Sequence, residues 1–103
     1  MLLLHNICME ASQHKAEVGA NLRVAIQVTH GGNASAFGRE FGLTPHKVGN
    51  WLRGDNYPDM MVLIRYCDEY GLTLDWFFRG KASGVASDVA VVLKQRKLAL
   101  PVA

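Results

Sequence analysis

The first half of the chain carries its hydrophobic residues at the spacing of an amphipathic helix. Between residues 15 and 29, the positions of one helical face recur three or four apart: Val18, Leu22, Ala25, Ile26 and Thr29. The glycine pair at 31–32 ends this helix. Asn33 predicts a second helix, because its side chain can accept a hydrogen bond from a backbone N–H of the new first turn. Phe37 and Phe41 then share one face.

A sharp turn at Gly42 separates the second helix from a third. A chain that turns sharply needs a left-handed residue, and glycine adopts that conformation without a Cβ clash. Thr44 supplies a capping hydroxyl, and Pro45 suits the first helical position, where its missing N–H costs nothing. The pattern therefore predicts a third helix over residues 45–53 that ends at Gly54.

Two further helices are predicted after a loop at residues 54–58. Asp59 caps the fourth helix, whose expected inner face consists of Met60, Leu63, Ile64, Cys67 and Tyr70. Thr73 caps a short fifth helix, whose apolar residues are Leu74, Phe77 and Phe78. The chain contains no internal repeat and no low-complexity segment.

The C-terminal segment begins with a predicted linker, GKASG, at residues 80–84. An apolar stripe at helical spacing follows, consisting of Val85, Val89, Val92 and Leu93. It predicts a sixth helix over residues 85–97. Because an isolated helix of this length is poorly stable, we expect the stripe to pack against another surface. Contact between two subunits of a dimer and capping of the chain's own domain both remain open.

The third helix has one apolar and one polar face. Val48, Trp51 and Leu52 lie three or four positions apart and are expected to face the core or its margin. The residues left pointing outward are Thr44, Pro45, His46, Lys47, Asn50 and Arg53. Two helices joined by a tight glycine turn form a helix-turn-helix, whose second helix can lie in the major groove of DNA. The outward face is thus a candidate DNA-binding surface.

The chemistry of this face suits a duplex. Asn50 can pair bidentately with an adenine edge, and His46 and Thr44 can donate or accept hydrogen bonds at base edges. Lys47 and Arg53 can neutralise phosphates.

Two neighbouring residues bear on this interpretation. Glycine inside a helix costs about 1 kcal/mol relative to alanine, so a glycine at position 38 indicates a packing reason. We expect Gly38 to let the second and third helices approach closely. Asp55 lies beside Arg53, and an exposed ion pair of this kind contributes little stability but can hold the arginine away from DNA.

Length, composition and net charge limit the classes of protein to which the chain can belong. A chain of 103 residues is expected to form one compact domain with tails. It is 50% hydrophobic and 19% charged, which excludes a wholly disordered chain. The formal net charge of +2 is too small to indicate a nucleic-acid partner by itself. Any such function therefore depends on where the charges lie.

Other chemistry has little support in the sequence. Cys8 and Cys67 form no C-x-x-C pair, which favours free thiols in a reducing cytoplasm. The four histidines do not cluster at metal-ligand spacing, so we expect no metal site. No nucleophile-base pair, paired carboxylate site or phosphate loop is apparent, so we expect neither an enzyme nor a cofactor.

The N-terminal segment MLLLHNICME has a short apolar run without a preceding basic region or a cleavage pattern, so no signal peptide is predicted. Met1 and Met9 are both candidate starts. No stretch approaches the roughly 18 uninterrupted apolar residues of a membrane helix.

From Asn21 to about Gly80, the chain resembles the Cro/C1-type (XRE-like) helix-turn-helix family of bacterial and phage repressors. The stretches that carry the resemblance are FGREFGLTPHKVGNWLRG, NYPDMMVLIRYCDEYGLTLDWFFRG and the helix that precedes both. The resemblance implies an all-α, five-helix lambda-repressor-like domain, followed here by the predicted C-terminal helix. It also implies binding to double-stranded DNA as a homodimer.

By position, the resemblance assigns base-reading roles to Thr44, Pro45, His46 and Asn50. It assigns contacts with the DNA backbone to Lys47, Arg53 and Gly54. The family often has glutamine, which contacts a phosphate and a base edge, where this chain has Ala34. Either Asn33 or Ser35 makes this contact here, or the contact is lost. Pro45 replaces a residue that is usually polar, which leaves fewer side chains for reading bases.

The predicted organisation is an N-terminal extension at 1–14, a helix-turn-helix domain at 15–80, and a linker, C-terminal helix and tail at 81–103. The predicted function is a sequence-specific DNA-binding transcriptional regulator, repressor-like, that binds a palindromic operator. The alternative is an antitoxin-like or adaptor protein with a protein partner on its C-terminal segment. Co-purification of a second polypeptide would separate the two.

Overall fold

The computed structural model describes residues 2–81 and the pair 84–85, with side chains from residue 11 onward. This part of the chain is all-helical, with five α-helices and no strand, which confirms the predicted all-α class. In chain order the helices are α1 (Leu2–His30), α2 (Ala34–Phe41), α3 (Pro45–Arg53), α4 (Met60–Tyr70) and α5 (Leu74–Arg79). None of these helices combines the length and the apolar character needed to cross a bilayer.

Side-chain caps begin α2 to α5 at the predicted residues. Each cap accepts a hydrogen bond of 3.0–3.2 Å from a backbone N–H in the first turn of its helix, and the four caps are Asn33, Thr44, Asp59 and Thr73. These bonds satisfy N–H groups that have no partner within the helix. The cap at Thr44 starts α3 at Pro45, so α3 covers the predicted range 45–53.

The first helix is longer than the hydrophobic pattern indicates. It begins at Leu2, although the apolar face was predicted only from residue 15 onward. The sequence has neither proline nor glycine between residues 2 and 18, so no residue there interrupts the helical backbone. The segment predicted as an N-terminal extension is therefore helical from Leu2 and continuous with the helix of the domain.

The core is centred on Tyr66, which is fully buried. Its ring centroid lies 4.9 Å from that of Phe37, 5.4 Å from Phe41 and 5.9 Å from Phe77. The Tyr66 hydroxyl lies 2.7 Å from Thr29 Oγ1, so the buried polar atom has a partner. Burial raises the pKa of Tyr66 well above its ordinary value. Helices α1, α2, α4 and α5 thus meet at one aromatic residue.

The inner face of α4 differs from the prediction at two positions. Leu63 and Cys67 are buried as predicted, but Tyr66 also belongs to this face. Met60 was predicted to face inward and is 47% exposed. Side chains in a helix tilt toward its N-terminus, so a side chain on the first residue points past the end of the packed surface. The inner face therefore begins at Leu63.

The C-terminal half of α3 lies directly on α1, and glycines make the contact. A Cβ atom on Gly19 would lie 2.6 Å from the carbonyl oxygen of Trp51 and 2.8 Å from that of Leu52. Gly54 has a left-handed φ of 80°, and a Cβ atom there would lie 2.7 Å from the Cα of Ala16. Only glycine fits at either position, so the two backbones hold α3 in place.

The turn between α2 and α3 has the predicted geometry. Gly42 has a φ of 70°, and the N–H of Leu43 donates to the carbonyl of Gly38 at 2.7 Å. A Cβ atom on Gly38 would lie 3.2 Å from the Leu43 oxygen and 3.4 Å from Val48 Cγ2. The predicted close approach at Gly38 is confirmed.

The described part of the C-terminal segment packs on its own chain. Val85 lies in a bend and is buried against the core, and a Cβ atom on Gly84 would lie 3.1 Å from Thr73 Cγ2. Val85, the first residue of the predicted stripe, is therefore in contact with its own domain. The other predicted dimer-contact residues lie outside the described residues: Val89, Val92 and Leu93.

Candidate nucleic-acid interface

The two faces of α3 have opposite surroundings. Val48 and Trp51 are buried in the core, and Leu52 is half-buried at its margin, as predicted. The polar positions lie on the other side, where Asn50 is half-buried and the exposed residues are Thr44, Pro45, His46, Lys47 and Arg53. The structure thus brings the six outward residues of α3 and its cap to one accessible surface.

Open grooves flank this surface on both sides. One is lined by Thr44, His46, Lys47 and Asn50 together with the loop residues Asn56, Tyr57 and Asp59. The other runs between α2 and α3 and is lined by Ser35 and Arg39 of α2 and by Pro45 and Gly49 of α3. Ser35 and Pro45, predicted respectively as a backbone contact and a base reader, therefore border the same groove.

The cap residues keep hydrogen-bond donors for a ligand. Thr44 Oγ1 accepts from the N–H of Lys47 at 3.2 Å, which leaves the hydroxyl hydrogen to donate. Asn33 Oδ1 accepts from the N–H of Ala36 at 3.0 Å, which leaves the amide NH₂ to donate. Both residues lie at the N-terminus of a helix, where the helix dipole favours an anionic group such as a phosphate.

Gly54 has a structural role at the end of α3. Its N–H donates to the carbonyl of Trp51 at 3.2 Å, and the N–H of Asp55 donates to that of Asn50 at 2.9 Å. Both bonds satisfy carbonyls of the last turn. The contact with the DNA backbone predicted for Gly54 stays a prediction.

Arg53 connects two neighbouring polar side chains. Its Nε donates to Asp55 Oδ2 at 3.1 Å, and its Nη2 donates to Asn50 Oδ1 at 2.5 Å. The ion pair with Asp55 is the one expected from the sequence. The bond to Asn50 was not predicted, although positions three apart share a helical face.

The loop after α3 is held by α1 through contacts that sequence reasoning missed. His14 Nδ1 lies 2.7 Å from the Tyr57 hydroxyl, and His14 Nε2 donates to the carbonyl of Phe78 at 2.6 Å. The Lys15 ammonium lies 5.6 Å from the centroid of the Tyr57 ring, a cation–π contact. His14 and Tyr57 are 43 positions apart, so no local pattern reveals their pairing.

A second polar cluster ties α2 to α1 and α4. Tyr70 donates to both carboxylate oxygens of Glu40 at 2.7 and 2.9 Å, and His30 Nε2 lies 3.4 Å from Glu40 Oε1. The Tyr70 hydrogen bond and, to a smaller extent, His30 lower the pKa of Glu40 below its ordinary value. The same bond raises the pKa of Tyr70 to about 12.

The Glu40→Gln variant is expected to lose less stability in acid than the parent chain. A carboxyl whose pKa is lowered by folding stabilises the fold above its unfolded pKa, and this contribution disappears as the pH falls through the folded pKa. Because Glu40 is at the surface, we expect the effect to be about 0.5–1 kcal/mol. Thermal unfolding at about pH 3 and about pH 7 measures it.

The matched control for this experiment is Glu17→Gln, which removes an exposed carboxylate from α1. Glu40→Gln should reduce the acid sensitivity of the melting temperature by more than this control does. Equal acid sensitivity in the parent chain and in Glu40→Gln would contradict the role given to the Glu40 carboxylate.

Comparison of the chain with protein-family models, with curated proteins and with solved structures found no match. What the surface around α3 can bind therefore follows from its own shape and chemistry. It presents amide, hydroxyl and imidazole groups along one short helix, with cationic side chains beside them.

Proposed function

We propose that the chain is a sequence-specific DNA-binding regulator, repressor-like, that places α3 in the major groove of a duplex. The observation that carries the proposal is the division of α3 into a buried face, held on α1 by glycines, and an exposed polar face. An α-helix with its side chains is about 10–12 Å across and the major groove is about 12 Å wide. A helix whose outer face projects from the protein surface therefore fits the groove.

The side chains of α3 and its cap support a division of roles. Thr44, His46 and Asn50 carry groups that can donate to or accept from base edges. Lys47 is exposed and can neutralise a phosphate, and the donors left on Asn33 lie at the N-terminus of α2, where a second phosphate would be favoured. Arg53 contributes positive charge to the same face, although Asp55 partly neutralises it.

The order of the helices supports a finer proposal. Five helices, a left-handed glycine between α2 and α3, and a Thr-Pro start to α3 agree with a lambda-repressor-like helix-turn-helix domain of the Cro/C1-type family. A protein of this kind would act in the cytoplasm, where it meets DNA.

We infer that the binding unit is a homodimer. One such surface offers few base contacts, whereas two related by symmetry would place copies of α3 in successive major grooves about 34 Å apart on a palindromic site. Because Val85 is buried in its own chain, any dimer contact of the predicted stripe would come from Val89, Val92 and Leu93.

Selection of bound duplexes from a random DNA pool, with the full chain at a stated salt concentration, tests the proposal. We expect enrichment of a palindromic sequence with two half-sites. Failure to retain duplex DNA at low salt would contradict the proposed function.

Two substitutions separate reading from anchoring. Asn50→Ala is expected to cost about 1–3 kcal/mol on the selected site and to relax the base preference at one position of each half-site. Lys47→Ala is expected to weaken binding to all sequences. It should also reduce the slope of the logarithm of the binding constant against the logarithm of the salt concentration by about 1. Titrations of selected and scrambled duplexes over a range of salt measure both effects.

Arg79→Ala is the charge-matched control for Lys47→Ala, because Arg79 is exposed and belongs to a different helix, α5. It should leave the salt slope unchanged. If Asn50→Ala and Lys47→Ala altered affinity and selectivity alike, the division of roles along α3 would be wrong.

A further inference from the structure

An apolar groove between α2 and α3 borders the exposed face of α3. It has a volume of about 250 Å³, and its lining includes Ala34 of α2 and Pro45, Gly49 and Leu52 of α3. None of these four residues has a side-chain hydrogen-bond donor or acceptor. Pro45 is exposed and the other three are half-buried, so the groove is accessible from the side that carries the polar residues of α3. A ligand that lies along α3 therefore meets carbon atoms here.

Pro45 differs in chemistry from the other outward residues of α3 and its cap. Its side chain consists of carbon and hydrogen alone, and its backbone nitrogen carries no hydrogen. It therefore offers no hydrogen-bond donor to a base edge or to a phosphate. With α3 in the major groove, Pro45 at the first helical position can select a base only through apolar contact.

Thymine is the base whose major-groove edge suits such a contact. It presents a C5-methyl group beside its O4 acceptor, whereas adenine, guanine and cytosine present donors and acceptors. An apolar wall placed over a donor or acceptor removes water from that group without replacing the hydrogen bond, which costs free energy. The same wall placed over the methyl group buries apolar surface, which is favourable. The groove at Pro45 thus favours thymine over the other three bases.

The rim of the groove is polar and carries a positive charge. Ser35 and Arg39 of α2 contribute to its lining, and both are exposed. Within the described part of the chain, Arg39 belongs to none of the ion pairs. Its guanidinium can bind a phosphate beside the base that occupies the groove, whereas an apolar peptide would offer it no partner. The charge at the rim therefore favours DNA as the occupant.

We propose, given the DNA-binding function above, that Pro45 and Ala34 bind the C5-methyl group of one thymine in each half-site. Pro45 is then a specificity-determining residue that acts through apolar contact, whereas Thr44, His46 and Asn50 act through hydrogen bonds. Arg39 adds a phosphate contact from α2 beside the same thymine.

The test uses the full chain and the duplex that it selects from a random DNA pool. Each thymine of that duplex is replaced, one at a time, by deoxyuridine, which lacks the methyl group and keeps the pairing and the O4 acceptor. At one thymine of each half-site, the replacement should weaken binding by about fourfold, the effect of burying one methyl group. This measurement needs no change in the protein.

Pro45→Ser then tests which residue makes the contact, because it removes the apolar ring. At the thymine identified by the replacement, this variant should discriminate thymine from deoxyuridine by less than about twofold. Cytosine and 5-methylcytosine at the same position differ by the same methyl group and lack the O4 acceptor. The parent chain should prefer the methylated cytosine, and Pro45→Ser should bind both equally.

Ala20→Ser is the control for the introduced serine, because Ala20 is exposed on α1 and does not line the groove. It should keep the full preference for thymine over deoxyuridine.

Two results would overturn the proposal and leave the DNA-binding function standing. The first is an enriched site in which no deoxyuridine replacement weakens binding, which would assign the groove to a ligand other than a base. The second is a preference for the methyl group that Pro45→Ser retains in full. Absence of any enriched duplex would instead overturn the DNA-binding function, and this proposal with it.

Discussion

Replacement of Gly54 by alanine is expected to lower the free energy of unfolding by about 2–5 kcal/mol. A residue other than glycine in the left-handed conformation costs about 1–2 kcal/mol, and Gly54 has a φ of 80°. The added Cβ would also lie 2.7 Å from the Cα of Ala16, and overpacking of this kind costs about 1–3 kcal/mol more. Thermal unfolding followed by circular dichroism should show a fall of at least about 10 °C in melting temperature.

Gly42→Ala is the matched control for Gly54→Ala. Gly42 has a similar φ of 70°, but apart from its own chain neighbours no atom lies within 4 Å of the position that its Cβ would take. This variant should lose only the conformational part, about 1–2 kcal/mol. If the two variants were equally destabilised, the close contact between the end of α3 and α1 would not exist as described.

Gly19→Ala is expected to destabilise the chain by about 2 kcal/mol, against the direction of helix propensity. In the interior of a helix, alanine is more favourable than glycine by about 1 kcal/mol. At Gly19 the new Cβ would lie 2.6 and 2.8 Å from two backbone oxygens of α3, which cannot rotate away as a side chain can. We expect this overpacking to exceed the propensity gain. Denaturant unfolding gives the sign and the size of the difference.

Gly49→Ala provides the opposite case within α3. A Cβ atom there would meet only the end of the flexible Arg53 side chain, at 3.0 Å. Propensity should therefore prevail, and the variant should be as stable as the parent chain or more stable. A gain in stability from Gly19→Ala, by contrast, would contradict the close contact of Gly19 with the Trp51 and Leu52 carbonyls.

The elements of the fold were predictable where the signal is local. Thr44, Pro45 and Gly54 lie within one turn of the ends of α3, and their cap and turn chemistry defined its bounds correctly. The Arg53–Asp55 pair was foreseen for the same reason, because the two residues are two positions apart. The base-reading and backbone roles on α3 remain predictions, since they depend on a ligand.

Features that depend on distant parts of the chain were missed. Tyr66 is an inner residue of α4 whose hydroxyl meets Thr29, 37 positions earlier, and nothing in the local sequence shows this contact. The contact of Gly19 with the Trp51 carbonyl likewise joins α1 to α3, and nothing around Gly19 in the sequence distinguishes it from a residue that merely weakens a helix. Met60 was misplaced because periodicity alone does not show that the first residue of a helix lies beyond the surface on which the helix packs.

Main-chain atoms contribute to the support of α3, together with the buried side chains of Val48 and Trp51. Glycines 19 and 54 bring backbone against backbone, so the position of α3 depends little on which side chains its outer face carries. Substitutions on that face can then accumulate without repacking the interior, and a protein diverging from this chain can change the chemistry of its exposed surface while it keeps its shape. The residues that position α3 and the residues that it exposes are thus different ones, and they can change independently.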